Sequence, residues 1–299
     1  MKYRLLRFWK PLLAVVFWGA SFIATKIALY ELNPEAIILL RLILAIILLS
    51  IIAVYTKRDF TISVKNHLGI LILALVAVFH LWIQITGLKF TTASNTGWII
   101  GVTPVFMATL GFLIFKEKIT PINILGIMIA FIGLLLLMSK GDILSIGFLS
   151  HKGDFLVLAS AFTWSVYSII NKKISISYPP LMTILFLFLM MAIIILPFTL
   201  NQEIINAVVH LSLNGWIAIL FLGIFCSGIA YVLWAQSLRE LEATKVGAFL
   251  YFEPFVTVFS AWLLLHEVIS YITILSGIII TSGVILVNKK SKMEITVSN

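Results

Sequence analysis

Charged side chains are scarce in this chain: Asp, Glu, Lys and Arg together make up 11% of its 299 residues. A typical soluble domain has about a quarter, because a fold of this size in water needs a largely polar surface. Cysteine is nearly absent as well. Cys226 stands alone inside an apolar run, which excludes an intramolecular disulfide and any cysteine-built metal site. No Gly-rich loop ending in Lys-Ser/Thr occurs, so an ATP-driven pump is disfavoured. The histidines at 67, 80, 151, 210 and 266 are scattered, and no paired-acid metal motif joins them. That argues against an integral-membrane enzyme acting on lipids, and no cofactor or metal is expected.

What the chain has is apolar. Hydrophobic residues make up 62% of it and the mean hydropathy is +1.14, so the expected solvent is lipid. The formal net charge of +9 does not indicate nucleic acid, since the cations lie in short clusters between apolar runs. A membrane-crossing helix needs roughly 20 apolar residues. Ten such runs are expected, at 11–30, 34–55, 66–87, 93–115 and 121–138, then 153–172, 179–199, 214–237, 243–265 and 271–288. The first is read as a span and not as a cleaved signal, because no small-residue cleavage site follows it. Asn33-Pro34, Thr120-Pro121 and Tyr178-Pro179-Pro180 mark helix starts between runs.

Lys and Arg set the expected orientation. With the N-terminus inside, the cytoplasmic side holds Lys2, Arg4, Arg7, Lys10, Lys57, Arg58, Lys65, Lys116 and Lys118. Lys172, Lys173, Arg239, Lys245, Lys289, Lys290 and Lys292 fall there too, leaving outside Lys89, Lys140 and Lys152. Both termini are therefore expected in the cytoplasm. The Ile-, Leu- and Lys-rich composition, without organelle-targeting features, is compatible with a bacterial plasma membrane.

The chain also repeats. Shifted by 150 positions, Leu88, Ala93, Gly97 and Pro104 fall on Leu238, Ala243, Gly247 and Pro254. Glu117, Ile119 and Gly133 then fall on Glu267, Ile269 and Gly283. The fold class expected is all-α integral membrane, built from two repeats at 11–138 and 153–288. Five spans per copy is an odd number, so the second copy enters the membrane inverted, a common plan for secondary transporters.

Phe17-Trp18-Gly19-Ala20-Ser21-Phe22 with Arg41, Pro104 with Phe115-Lys116-Glu117-Lys118-Ile119-Thr120, and the echo Glu253-Pro254 with Leu265-His266-Glu267 together resemble the EamA-type drug/metabolite transporter superfamily. The resemblance covers nearly the whole chain. It implies ten helices, termini inside, and a central cavity lined by the first, third, fourth, sixth, eighth and ninth. It also implies export or exchange of small metabolites, amino acids among them, by alternating access. A lipid-modifying enzyme or a scaffold is the alternative.

Polar groups within spans are costly and are functional candidates by default. His80 and Gln84 are four apart and share a helix face; they suit a carboxylate or an amine, or an interhelical hydrogen bond. Trp18, Trp98, Trp164, Tyr231, Trp234 and Tyr251 fall in helices that the resemblance makes cavity-lining, and aromatic walls can hold an ammonium. An interfacial belt is the alternative for a tryptophan and fits Trp9, Trp82 and Trp216 imperfectly, whereas Trp164 and Trp234 lie near mid-span and are expected at the cavity. Glu253 is the acid nearest the centre of a span and the candidate for carrying a coupled proton. Pro104 and Pro254 each remove a backbone hydrogen bond and are candidate hinges. Arg41 and Lys26 have the reach to snorkel toward headgroups, and Arg41 is expected to be structural rather than substrate-binding. Glu117 and Glu267 are expected to cap the helix that follows each.

Overall fold

The structure, a computed structural model, describes residues 9–60, 67–115, 120–141, 151–173, 179–240 and 248–287. Among them there is no strand. The helices are α1 (Trp9–Ala28), α2 (Pro34–Tyr55), α3 (His67–Lys89), α4 (Ala93–Ile100), α5 (Thr103–Phe115), α6 (Pro121–Met138), α7 (Lys152–Lys173) and α8 (Pro180–Ile195). There follow α9 (Gln202–Val209), α10 (Leu213–Leu220), a π-helical stretch Phe221–Ile229, α11 (Ala230–Glu240), a 3₁₀ turn Ala248–Phe252, α12 (Glu253–Leu265) and α13 (Tyr271–Val287). Seven helical segments are long and apolar enough to cross a bilayer, and Phe249–Leu265 and Tyr271–Leu286 are shorter apolar helices. Lys2, Arg4, Arg7, Lys65, Lys116, Glu117, Lys118, Lys245, Lys289, Lys290 and Lys292 lie outside the described residues.

Turn chemistry places the helix starts. Pro34 opens α2 behind an extended Asn33, where its missing N–H is no loss. Thr120 and Asn123 form a reciprocal capping box at α6. Thr92, Asn201 and Ser212 each accept from an amide in the first turn of α4, α9 and α10. α9 is an addition to the expected pattern. It falls between the expected spans 179–199 and 214–237, where Asn201 starts a two-turn helix whose Ile204 is buried while Ile205 and Val209 are exposed.

The run at 93–115 is one span by composition and two helices in the structure. Pro104 has no N–H for the carbonyl of Ile100, and that oxygen takes the Thr103 hydroxyl instead, at 2.6 Å. Gly101 sits in the break because a side chain there would strike the ring of Pro254, 2.9 Å from the position of a Cβ. Two breaks therefore meet, one from each half of the chain. The run at 214–237 is likewise interrupted, by the π-helical stretch.

Apolar side chains face outward as well as inward. On α3, Leu71, Leu75, Phe79 and Trp82 are exposed, whereas Ile70, Leu73, Ala77 and His80 are buried. The outward stripe has the helical period and is apolar, as a lipid-facing surface must be. Packing is reciprocal between the halves: α1 lies on α12 as α7 lies on α5, and α2 lies on the π stretch as α8 lies on α3.

The tightest of these pairs is α6 with α13. A Cβ at Gly133 would come within 2.8 Å of the Ile280 nitrogen, and one at Gly283 within 2.6 Å of the Gly126 carbonyl oxygen. Small residues let such backbones approach, which in lipid stands in for a hydrophobic driving force. Gly283→Val is expected to cost about 1–3 kcal/mol through overpacking, read as a lower melting temperature in detergent. Met128→Leu on the exposed face of α6 is expected to leave that temperature unchanged.

Candidate functional site

Near the middle of the bundle the helices leave a cavity. α1 contributes Trp18, Ser21 and Phe22; α3 contributes His80, Leu81 and Gln84; Trp164 comes from α7 and Tyr231 from α11. Ile100 and Thr103 border it at the α4–α5 break, and Leu250 and Glu253 border it where α12 starts. Arg41, from α2, completes the wall. The broken helices thus bring their irregular backbone to the cavity, the one setting in which a membrane protein tolerates it.

Aromatic rings form one wall. The Trp18 ring stands edge-on to Trp164 at 5.9 Å and to Tyr231 at 5.5 Å. Trp164 stacks on Tyr167 at 5.0 Å, and His80 lies 5.1 Å from Trp164. Trp18 is pinned by its indole N–H, which donates to the carbonyl of Cys226 at 3.0 Å. That carbonyl belongs to the π-helical stretch, where the ladder leaves oxygens available for such partners, and π segments recur at functional sites. Trp234 backs Trp18 from behind, with centroids 5.1 Å apart.

Polar groups face the rings. His80 Nδ1 lies 3.0 Å from the carbonyl of Ser160. A carbonyl can only accept, so Nδ1 carries the hydrogen and Nε2 is left as an acceptor. Neither Nε2 nor the Gln84 amide, one turn on, hydrogen-bonds to a described residue. The Arg41 guanidinium donates from Nε to the Ser227 hydroxyl at 2.9 Å and is 5% exposed. Glu253 is 6% exposed, and its carboxyl accepts from no described residue. No group of three His, Cys, Asp or Glu side chains suited to a metal occurs among the described residues.

The expected residues thus separate. Trp18, His80, Gln84, Trp164, Tyr231 and Glu253 converge on the cavity. Trp98 does not: it packs edge-on against Phe255 at 5.3 Å, with Gly277 under its ring and its Nε1 buried without a partner. Tyr251 does not either, since its hydroxyl reaches the Val284 carbonyl at 3.4 Å. Arg41 corrects the expectation in the other direction. Seven residues into its helix, it turns inward to Ser227 and not toward headgroups. The signal for it was present, a charge inside a span, but helix position alone does not say which way a side chain turns. Ser21 and Thr103 were missed because small hydroxyls are common in such helices.

A second polar cluster lies at one end of the bundle. The Glu267 carboxylate accepts from the amides of Ala93 and Ser94 at 2.8 and 3.0 Å, and from the Ser94 hydroxyl at 2.7 Å. It was expected to cap the helix after it. It caps α4 instead, in the other half of the chain, because the left-handed turn at His266 redirects it. Lys26 does not snorkel; its ammonium donates to the carbonyls of Leu88 and Thr91 at 2.8 and 2.5 Å. Thr91 also hydrogen-bonds Asp154 at the start of α7. At the other end of the bundle Lys10 pairs with Glu240 at 2.5 Å.

Apolar helices packed around a polar and aromatic cavity define a multi-pass membrane protein. Sequence comparison places it among transporters. The EamA-like transporter family matches residues 9–139 and again 151–289, and the chain belongs to that family. An uncharacterized transporter of Archaeoglobus fulgidus is 32% identical over 93% of this chain and 96% of its own. The uncharacterized transporter YyaM of Bacillus subtilis is 27% identical over 93% and 94%. A probable amino-acid metabolite efflux pump of Salmonella typhimurium is 26% identical over 91% of each. One crystal structure covers 98% of this chain and 99% of its own with a TM-score of 0.67 at 14% identity, a likeness of fold.

Replacing Glu267 with Ala removes every cap that the carboxylate supplies to α4. The expected cost is about 0.5–2 kcal/mol. Hydrogen exchange at the amides of Ala93 and Ser94 is expected to rise, while exchange in α6 and α13 stays as it was.

Proposed function

We propose that the protein is a secondary transporter that moves small metabolites across the plasma membrane by alternating access, and that it exports amino acids or related solutes. The observation that carries the reading is the cavity itself. Its polar and aromatic groups come from both halves of the chain, and two broken helices border it. The double family match and the reciprocal contacts of Gly133 and Gly283 support two inverted repeats of five spans, 11–138 and 153–288. On that reading both termini are cytoplasmic, and the Glu267, Lys26 and Asp154 cluster lies on the outer side. There it ties α1, α3, α4 and α7 to the segment after α12 and closes the outer route to the cavity. The amino-acid reading draws on the efflux pump of Salmonella typhimurium.

Reconstitution into liposomes, with counterflow of labelled amino acids, sugars and nucleotides, tests the reading. Accelerated exchange of at least one small solute is expected. Folded protein that exchanges none of them points to a scaffold. The candidate for a coupled proton is Glu253, whose carboxyl shares the cavity with Arg41, His80 and Tyr231. If it carries a coupled proton, Glu253→Gln flattens the dependence of solute flux on a pH gradient, measured in the same liposomes. A variant with wild-type flux and an unchanged pH profile rejects the coupling and leaves transport standing.

A further inference from the structure

We propose that the cavity reads both ends of a zwitterion, with Arg41 receiving the carboxylate of an α-amino acid and Glu253 its ammonium. The inference rests on the transporter reading and specifies how its cavity selects. A guanidinium and a carboxyl face one small space with no ion pair between them. Arg41 is 5% exposed and, among the described residues, donates only from Nε, at 2.9 Å to the Ser227 hydroxyl. The rest of its guanidinium fork is directed at no carboxylate within ion-pair distance among the described residues. Arginine does not shed its proton, so a buried one without an anion is costly. The Glu253 carboxyl, 6% exposed, accepts nothing from the described residues.

The two charges are also set apart. Both line the cavity, yet no ion pair joins them. A ligand bearing one charge leaves the other stranded. A phosphate or sulfate would suit Arg41 but is repelled by Glu253; a lone amine meets the reverse; a sugar neutralises neither. Discrimination of this kind works by repulsion as much as by attraction. A zwitterion satisfies both, and an Arg fork grips a carboxylate in two parallel hydrogen bonds. The indoles of Trp18 and Trp164 line the space on one side, where an aromatic face adds to ammonium binding.

The size of the space agrees. It holds about 60 Å³ on the scale where one water takes about 10–15 Å³, room for a handful of heavy atoms. That accommodates the backbone of an amino acid with a short side chain.

The test is competition in proteoliposomes of the wild-type protein. Each standard amino acid is preloaded in turn against its own labelled form, and the fastest to exchange is then challenged with blocked analogues. The amide removes the carboxylate charge and the N-acetyl form removes the ammonium. Each is expected to compete at least tenfold more weakly than the parent. Arg41→Gln should weaken the parent and abolish its advantage over the amide, with Arg41→Lys restoring part of it. Glu253→Gln should abolish its advantage over the N-acetyl form. An amide or N-acetyl form that competes as well as the parent overturns the proposal, and so does exchange confined to sugars or singly charged ions. In both cases the transporter reading stands. Absence of exchange by any solute, from protein with a normal melting transition, removes both.

Discussion

A backbone carbonyl or amide has no water to turn to in the hydrocarbon interior of a bilayer, and each one left unpaired costs several kcal/mol. Continuous helices meet the constraint automatically, and most of this chain is continuous helix. The informative places are those where a helix stops. At the α4–α5 break the Ile100 carbonyl, abandoned by Pro104, takes the Thr103 hydroxyl. In the π-helical stretch the Cys226 carbonyl takes the Trp18 indole. Where α3 ends, the carbonyls of Leu88 and Thr91 take the Lys26 ammonium, and where α4 begins its amides donate to Glu267. Each repair crosses to another element or fixes a side chain at the cavity. The same bonds that satisfy the backbone therefore position the site.

That economy explains why so few charges suffice. The 11% that remain are mostly terminal clusters and helix-end groups, and those inside the bundle are committed. Lys26 and Glu267 serve helix ends, one at a C-terminus and one at an N-terminus, each matching the sign of the dipole there. Arg41 caps no helix end, and Glu253, though in the first turn of α12, accepts from no described amide. They are buried without repairing any break, so their presence in lipid needs another reason, and the cavity they share is the available one.

Much of this was legible in the chain beforehand, for identifiable reasons. The apolar runs reported the helices because lipid requires both length and hydropathy. Pro104 and Pro254 reported the two helix breaks that meet beside the cavity, because proline marks a backbone feature that apolar drift does not erase. His80, Gln84, Trp164 and Glu253 reported the cavity because a polar or bulky aromatic group in mid-span needs a reason to be there. What escaped was directional. Arg41 turning inward, Trp98 turning outward against Phe255 and Gly277, and Glu267 reaching across to α4 all depend on rotation about a helix or on a turn. Neither is encoded by composition or by span length. α9 escaped because two turns of helix fall below the length at which periodicity can be read.

The halves share a frame without sharing a lining. Thr103 and Glu253 stand one residue before the matching prolines, Pro104 and Pro254, and both border the cavity. One offers a hydroxyl already bonded to its own helix, and the other offers a carboxyl bonded to nothing described. Arg41 breaks the match again, since its helix was not among those the resemblance made cavity-lining. Under the proposed alternating access, reciprocal contacts of this kind would let the walls rock either way at similar cost, because the contacts on one side repeat those on the other. A lining with one acid and one guanidinium has no such symmetry, so a bound solute meets different chemistry at its two ends. On the proposed transporter reading, reciprocal packing would govern how the bundle moves, and unlike side chains at like positions would govern what it holds.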